Sequence, residues 1–104
     1  MSAIAHLEQF TDGESQSLEV QGLPLLVARR GDELFVFRNN CPHANDSLDP
    51  MGGNLLDSSA QIITCQRHGA EFLVNTGECV AGACQGEHLE PVAFTLSNGD
   101  IYLD

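Results

Sequence analysis

The sequence predicts a mostly β protein, and three features carry that expectation. Apolar residues come in short runs separated by Gly, Asn and Asp, and no segment holds the helical period long enough to require a helix. Near the end, an Asn-Gly pair stands between two apolar runs, a strong local hairpin signal. A length of 104 residues suits one domain, since a second core would leave too little apolar surface for either, so a single domain over 1–104 is expected. With 42% hydrophobic and 18% charged residues, the composition is that of a chain that folds.

Residues 17–20 and 25–28 flank Gln21-Gly22-Leu23-Pro24, and Arg30-Gly31-Asp32 separates the second run from 33–38, so this region reads as a meander. Leu34-Phe35-Val36-Phe37 does not alternate, which predicts burial on both faces of its sheet. Residues 91–96 and 101–103 enclose Ser97-Asn98-Gly99-Asp100 and predict the closing hairpin. Between these β regions, from about 41 to 86, lie all four Cys, and the composition there is that of a site rather than a core.

Fifteen acids against four Arg and no Lys give a net charge of −11, which would repel nucleic acid and anionic membranes. The acidity serves either solubility or steering toward a basic partner. Apolar stretches are far short of the roughly 20 residues that cross a bilayer, so no membrane span is expected. Residues 1–20 carry acids and polar groups where an export signal needs a basic start and an apolar run, so a cytoplasmic location is expected. In that compartment, Cys residues point to metal or catalysis rather than to a disulfide framework.

Cys41-Pro42-His43 and Cys65-Gln66-Arg67-His68 each offer a thiolate and an imidazole within three or four residues, with 21 residues between His43 and Cys65. Two matched loops are implied. Zinc is the main rival for such a set, but its ligands usually arrive like with like, as C-x(2 to 4)-C and H-x(3 to 5)-H, and here each pair is mixed. A centre with two Cys on one iron and two His on the other suits mixed pairs, because each loop then supplies one ligand to each iron.

These residues resemble the Rieske family pattern, C-x-H followed by C-x-x-H-G, and the resemblance continues through Gly69-Ala70-Glu71-Phe72 and Thr76-Gly77. It covers the chain from about Leu25 to the final hairpin. The resemblance implies one [2Fe-2S] cluster per chain, held by Cys41, His43, Cys65 and His68. It also implies stacked antiparallel sheets, with a cluster-binding subdomain at about 41–86 inserted into a basal β domain. Gly69 is read either as a residue whose missing Cβ lets backbone N–H groups approach the cluster sulfurs or as a plain turn residue.

Three departures from the family pattern carry expectations of their own. Respiratory and photosynthetic members carry an extra Cys in each ligand loop, joined in a disulfide; the matching positions here are Asp46 and Arg67, for which a salt bridge is the candidate replacement. Their absence as Cys places the chain with the ferredoxin-like branch. The interval between loops is longer than in typical dioxygenase ferredoxins, and Asp49-Pro50-Met51-Gly52-Gly53 reads as the added turn. Ala70 and Phe72 stand where high-potential members have a Ser and a Tyr. Cys79 and Cys84 are read as buried free thiols, with a local disulfide between them as the alternative. His6 and His88 lack ligand-spaced partners and are read as structural.

With all four protein positions filled, the centre offers no open site for substrate, so the implied role is one-electron transfer without catalysis by the chain alone. The expected partners are a flavin-type reductase and a terminal oxygenase, ring-hydroxylating or related, or another redox acceptor. A relative of the nitrite reductase small subunit, or a redox-sensing or zinc-stabilised interaction module, are the alternatives.

Overall fold

The computed structural model describes residues 3–40, 47–49, 52–66, 69–82 and 86–103. Among them are nine strands and one 3-10 turn, Leu7–Gln9. The strands are β1 Ala5–His6, β2 Ser15–Val20, β3 Leu23–Arg30, β4 Glu33–Arg38, β5 Ile62–Thr64, β6 Glu71–Leu73, β7 Cys79–Ala81, β8 Phe94–Ser97 and β9 Asp100–Leu103. They form three antiparallel sheets of order β1-β9-β8, β2-β3-β4 and β5-β6-β7. The mostly β class and stacked sheets are as the sequence predicts. No helix among the described residues is long and apolar enough to cross a membrane.

The β2-β3-β4 meander forms as expected but with longer strands. Leu23 and Pro24 belong to β3 rather than to the turn, which is only Gln21-Gly22, both at positive φ (52° and 83°). Two central residues at positive φ match the right-handed twist of the flanking strands, so the ladder starts at once with Val20 opposite Leu23. The same geometry recurs at Asn98 (φ 53°) and Gly99 (φ 84°), where Ser97 pairs with Asp100.

The middle sheet divides two cores. Leu25, Val27, Leu34 and Val36 face one way, toward Phe10 and Ile101, while Leu26, Ala28 and Phe37 face the other way, toward Ile63, Phe72 and Leu89. Register explains the division: Leu26 lies opposite Phe37 and Val27 opposite Val36, so period-2 alternation sends each cross-strand pair to one face. The apolar run at 34–37 is therefore buried on both faces of its sheet, as its lack of alternation predicts.

Residues 91–96 do not form one strand. Residues 87–92 run as a spine across two sheets: Cys79 N–H donates to Glu87 O, Leu89 N–H to Gly77 O, Arg38 N–H to Glu90 O and Val92 N–H to Val36 O. Pro91 pairs with Phe37 at the edge of the middle sheet, and the chain enters β8 only at Phe94. Pro has no N–H to give a ladder, which suits a single bridge at an edge better than a strand interior.

A tight turn feeds β5. The Asp57 carboxylate accepts from Gln61 N–H and Ser59 Oγ–H, and these bonds, Gln61 first, hold its carboxyl below the usual carboxylate range. Leu56 then bridges Ile63, which carries the chain toward Cys65.

Candidate metal centre

Of the four residues expected to bind metal, Cys65 lies within the described structure; Cys41, His43 and His68 lie outside it. Cys65 follows β5 directly, is buried and carries a free thiol, as a thiolate ligand must. Its backbone closes the second ligand loop from both sides: Cys65 N–H donates to Ala70 O (2.8 Å) and Cys65 O accepts from Gly69 N–H (3.0 Å). The loop is thus pinned where it leaves β5 and where it enters β6. A buried, unpaired thiol at the head of such a loop fits a thiolate-bound cluster.

Gly69 has φ +68°, a left-handed conformation that L side chains rarely adopt, and its N–H is committed to the Cys65 carbonyl. That conformation fits the reading of Gly69 as a turn residue. Ala70 and Phe72, both buried, follow it. Gly82 lies against this segment so closely that a Cβ there would come within 2.9 Å of Ala70 Cα.

Two neighbouring segments hold the loop. Gln66 N–H donates to Leu48 O (3.0 Å) and Gln66 Nε2 to Gly52 O (2.7 Å). Gly52 N–H donates to Asp49 O (2.8 Å); Pro50 and Met51, the middle of the turn expected of the longer interval, lie outside the described residues. Asn39, two positions before Cys41, is buried; its Oδ1 accepts from Leu48 N–H (2.8 Å) and its Nδ2 donates to Asp49 Oδ1 (2.7 Å). Asn39 and Gln66 were not marked by the sequence, since neither residue type signals a role until its partners from residues 48–52 are known.

Cys79 is buried as expected but is disulfide-bonded, which corrects its reading as a free thiol. The other half of that bond, and Cys84, lie outside the described residues. A compartment argument speaks of the surrounding redox poise, whereas a disulfide depends on Cα atoms meeting at about 4.4 to 6.8 Å, which spacing along the chain does not give. Asp46 and Arg67, the candidate salt bridge, also lie outside the described residues.

His6 and His88 are structural, as expected. His6 Nδ1 accepts from Glu8 N–H (3.1 Å) at the head of the 3-10 turn, and its ring covers Gly99, where a Cβ would lie 2.5 Å from Nε2. His88 bridges Glu78 across the spine, with Nδ1 3.0 Å from Leu89 O.

The model of the Rieske [2Fe-2S] domain matches residues 1–96. The chain belongs to the Rieske family. Its cofactor is accordingly a [2Fe-2S] cluster. No curated protein matches the sequence. Among solved structures, this Rieske chain is similar to the ferredoxin of carbazole 1,9a-dioxygenase from Nocardioides aromaticivorans IC177, with 25% identity, a TM-score of 0.81 and coverage of 98% of this chain and 94% of that one. It is also similar to the Sphingomonas yanoikuyae B1 ferredoxin, at 27% identity and TM-score 0.78, covering 99% and 96%. A third similar chain comes from a complex of reduced oxygenase and oxidized ferredoxin in carbazole 1,9a-dioxygenase, at 25% identity and TM-score 0.79, covering 98% and 90%.

Proposed function

We propose that this Rieske protein is a one-electron carrier that takes electrons from a flavin-type reductase and delivers them to a terminal oxygenase, with its cluster held by Cys41, His43, Cys65 and His68. One observation carries this reading: the fold matches the ferredoxin of carbazole 1,9a-dioxygenase over nearly the whole of both chains. When bound, the cluster supplies a single reversible electron step with no open coordination position. Cys65 would contribute a buried thiolate from a position whose backbone N–H and C=O are both hydrogen-bonded. The test is the visible and EPR spectrum of aerobically purified protein before and after dithionite. A Rieske spectrum that becomes EPR-active on reduction is expected, and a colourless zinc protein would refute the reading.

The second loop sets the expected potential. Hydrogen bonds to cluster sulfur stabilise the extra negative charge of the reduced state and raise the potential. Ala70 has no hydroxyl to donate, and Phe72 is fully buried without a phenol oxygen. A midpoint toward the low end of the Rieske range of roughly −150 to +300 mV is therefore expected. Ala70→Ser should raise it, with Phe72→Tyr adding to the rise where the phenol finds a sulfur acceptor. Protein-film voltammetry decides: a wild-type midpoint above about +200 mV, in the upper part of that range, would contradict the hydroxyl argument.

The reductase encounter should depend on salt. Three of the four Arg are already engaged: Arg29 on backbone carbonyls of Gly31 and Phe10, Arg30 beside Glu33 and Phe35, Arg38 beside Glu90. Little cationic surface then offsets the acids, and attraction to a basic partner is screened over about 8 to 10 Å at 0.1 to 0.15 M salt. Stopped-flow reduction should slow as ionic strength rises; a flat profile would assign the acidity to solubility.

A further inference from the structure

The peptide groups of Leu48 link Asn39 to Gln66. Its N–H is held by the side chain of Asn39, on the approach to Cys41, and its C=O by the backbone of Gln66, next to Cys65. Leu48 is itself wholly buried, so neither peptide group has water as a substitute partner. Each end of this link is doubled by a second hydrogen bond. Asn39 Nδ2 reaches Asp49, Gln66 Nε2 reaches Gly52, and Gly52 N–H donates to Asp49 O. Asp49 is buried with its Oδ2 unpartnered, so the Asn39 amide is the described group that compensates this carboxyl.

We propose that Asn39 and Gln66 are positioning residues that, through their bonds to Leu48, Asp49 and Gly52, fix the spacing of the two ligand loops and so retain the cluster and set its electronic environment. The proposal rests on the ligand assignment above. Nothing in it requires these side chains to touch the cluster. Removing one of these bonds leaves the strands intact, because Asn39 lies beyond the end of β4 and Gln66 beyond β5. What changes is the freedom of one loop relative to the other. Groups that orient metal ligands from behind typically change metal retention by 10- to 100-fold when lost.

A charge-swapped pair separates this role from general destabilisation. Asn39→Asp keeps an acceptor for Leu48 N–H but sets a second carboxylate against Asp49 in a buried site. Asn39→Asp with Asp49→Asn restores one amide and one carboxylate with their places exchanged. We expect the single variant to lose iron to a chelator roughly tenfold faster than wild type or more, with displaced EPR g-values in the reduced state. The double variant should return both readouts toward wild type. Gln66→Met, at a half-buried position where folding is not at stake, should release iron faster and shift the g-values in the same assay. The proposal is overturned if Asn39→Asp and Gln66→Met keep wild-type g-values and release rates, or if the double swap behaves no better than Asn39→Asp. Failure of the ligand assignment would look different, since wild-type protein would then show no Rieske spectrum at all.

Discussion

Cys65→Ala is expected to abolish the iron-sulfur spectrum of this chain. The thiol is buried at the end of β5, and it is free to act as a ligand. Within the described residues Cys79 is the other sulfur of this kind, and it is already committed to a disulfide. With Cys65 as proposed ligand, an alanine at 65 would leave one iron a thiolate short, and neither water nor a backbone group would supply an equivalent donor. The loop itself survives, because its closure uses the Cys65 backbone N–H and C=O and not the side chain. The expected result is a folded, colourless protein whose far-UV circular dichroism stays β-type. Cys41, His43 and His68 changed singly to Ala should give the same loss. A native visible spectrum in all four variants would refute the ligand assignment.

Phe72→Ala gives the largest expected loss of stability. The ring is fully buried among Leu26, Phe37, Ile63 and Leu89, in the core between the middle sheet and β5-β6-β7. Truncating a buried Phe costs about 3 to 5 kcal/mol, through lost transfer energy and the cavity left behind. A domain stable by about 5 to 15 kcal/mol loses much of its margin that way. Leu25→Ala makes the matched control, with an expected cost of about 2 to 5 kcal/mol. Leu25 lies on the opposite face of the middle sheet, in the core shared with Ile101. Urea unfolding should show both losses, whereas the EPR spectrum of the reduced cluster should shift for Phe72→Ala only, since Phe72 is two residues from the pinned loop. Equal spectral shifts in the two variants would contradict the division into two cores.

The sequence alone marked what depends on near neighbours. Asn98-Gly99 sets a hairpin because its positive φ values are a property of those two residues and the turn between them. The unbroken apolar run at 34–37 announced a strand buried on both sides. The mixed Cys and His pairs announced a centre, because ligands on one short loop must reach metal together, and the family match agrees with that pattern. Less was legible where a residue's meaning comes from a distant partner. Pro91 was expected inside a strand of the last hairpin and instead bridges Phe37, because the choice of sheet is made by residues some fifty positions away along the chain. Cys79 was read first as a free thiol, with a disulfide as the alternative, and it is disulfide-bonded.

By itself, then, the sequence determined the β class and the hairpin turns, both of which follow from local backbone preference. The tertiary structure decided that β3 and β4 separate two cores, that residues 87–92 join the sheets, and that Asn39 and Gln66 both bond the peptide groups of Leu48. The physical reason is that a buried polar group takes its role from whichever donor or acceptor folding brings within hydrogen-bond reach, and an Asn or Gln carries no mark of that partner in its own position.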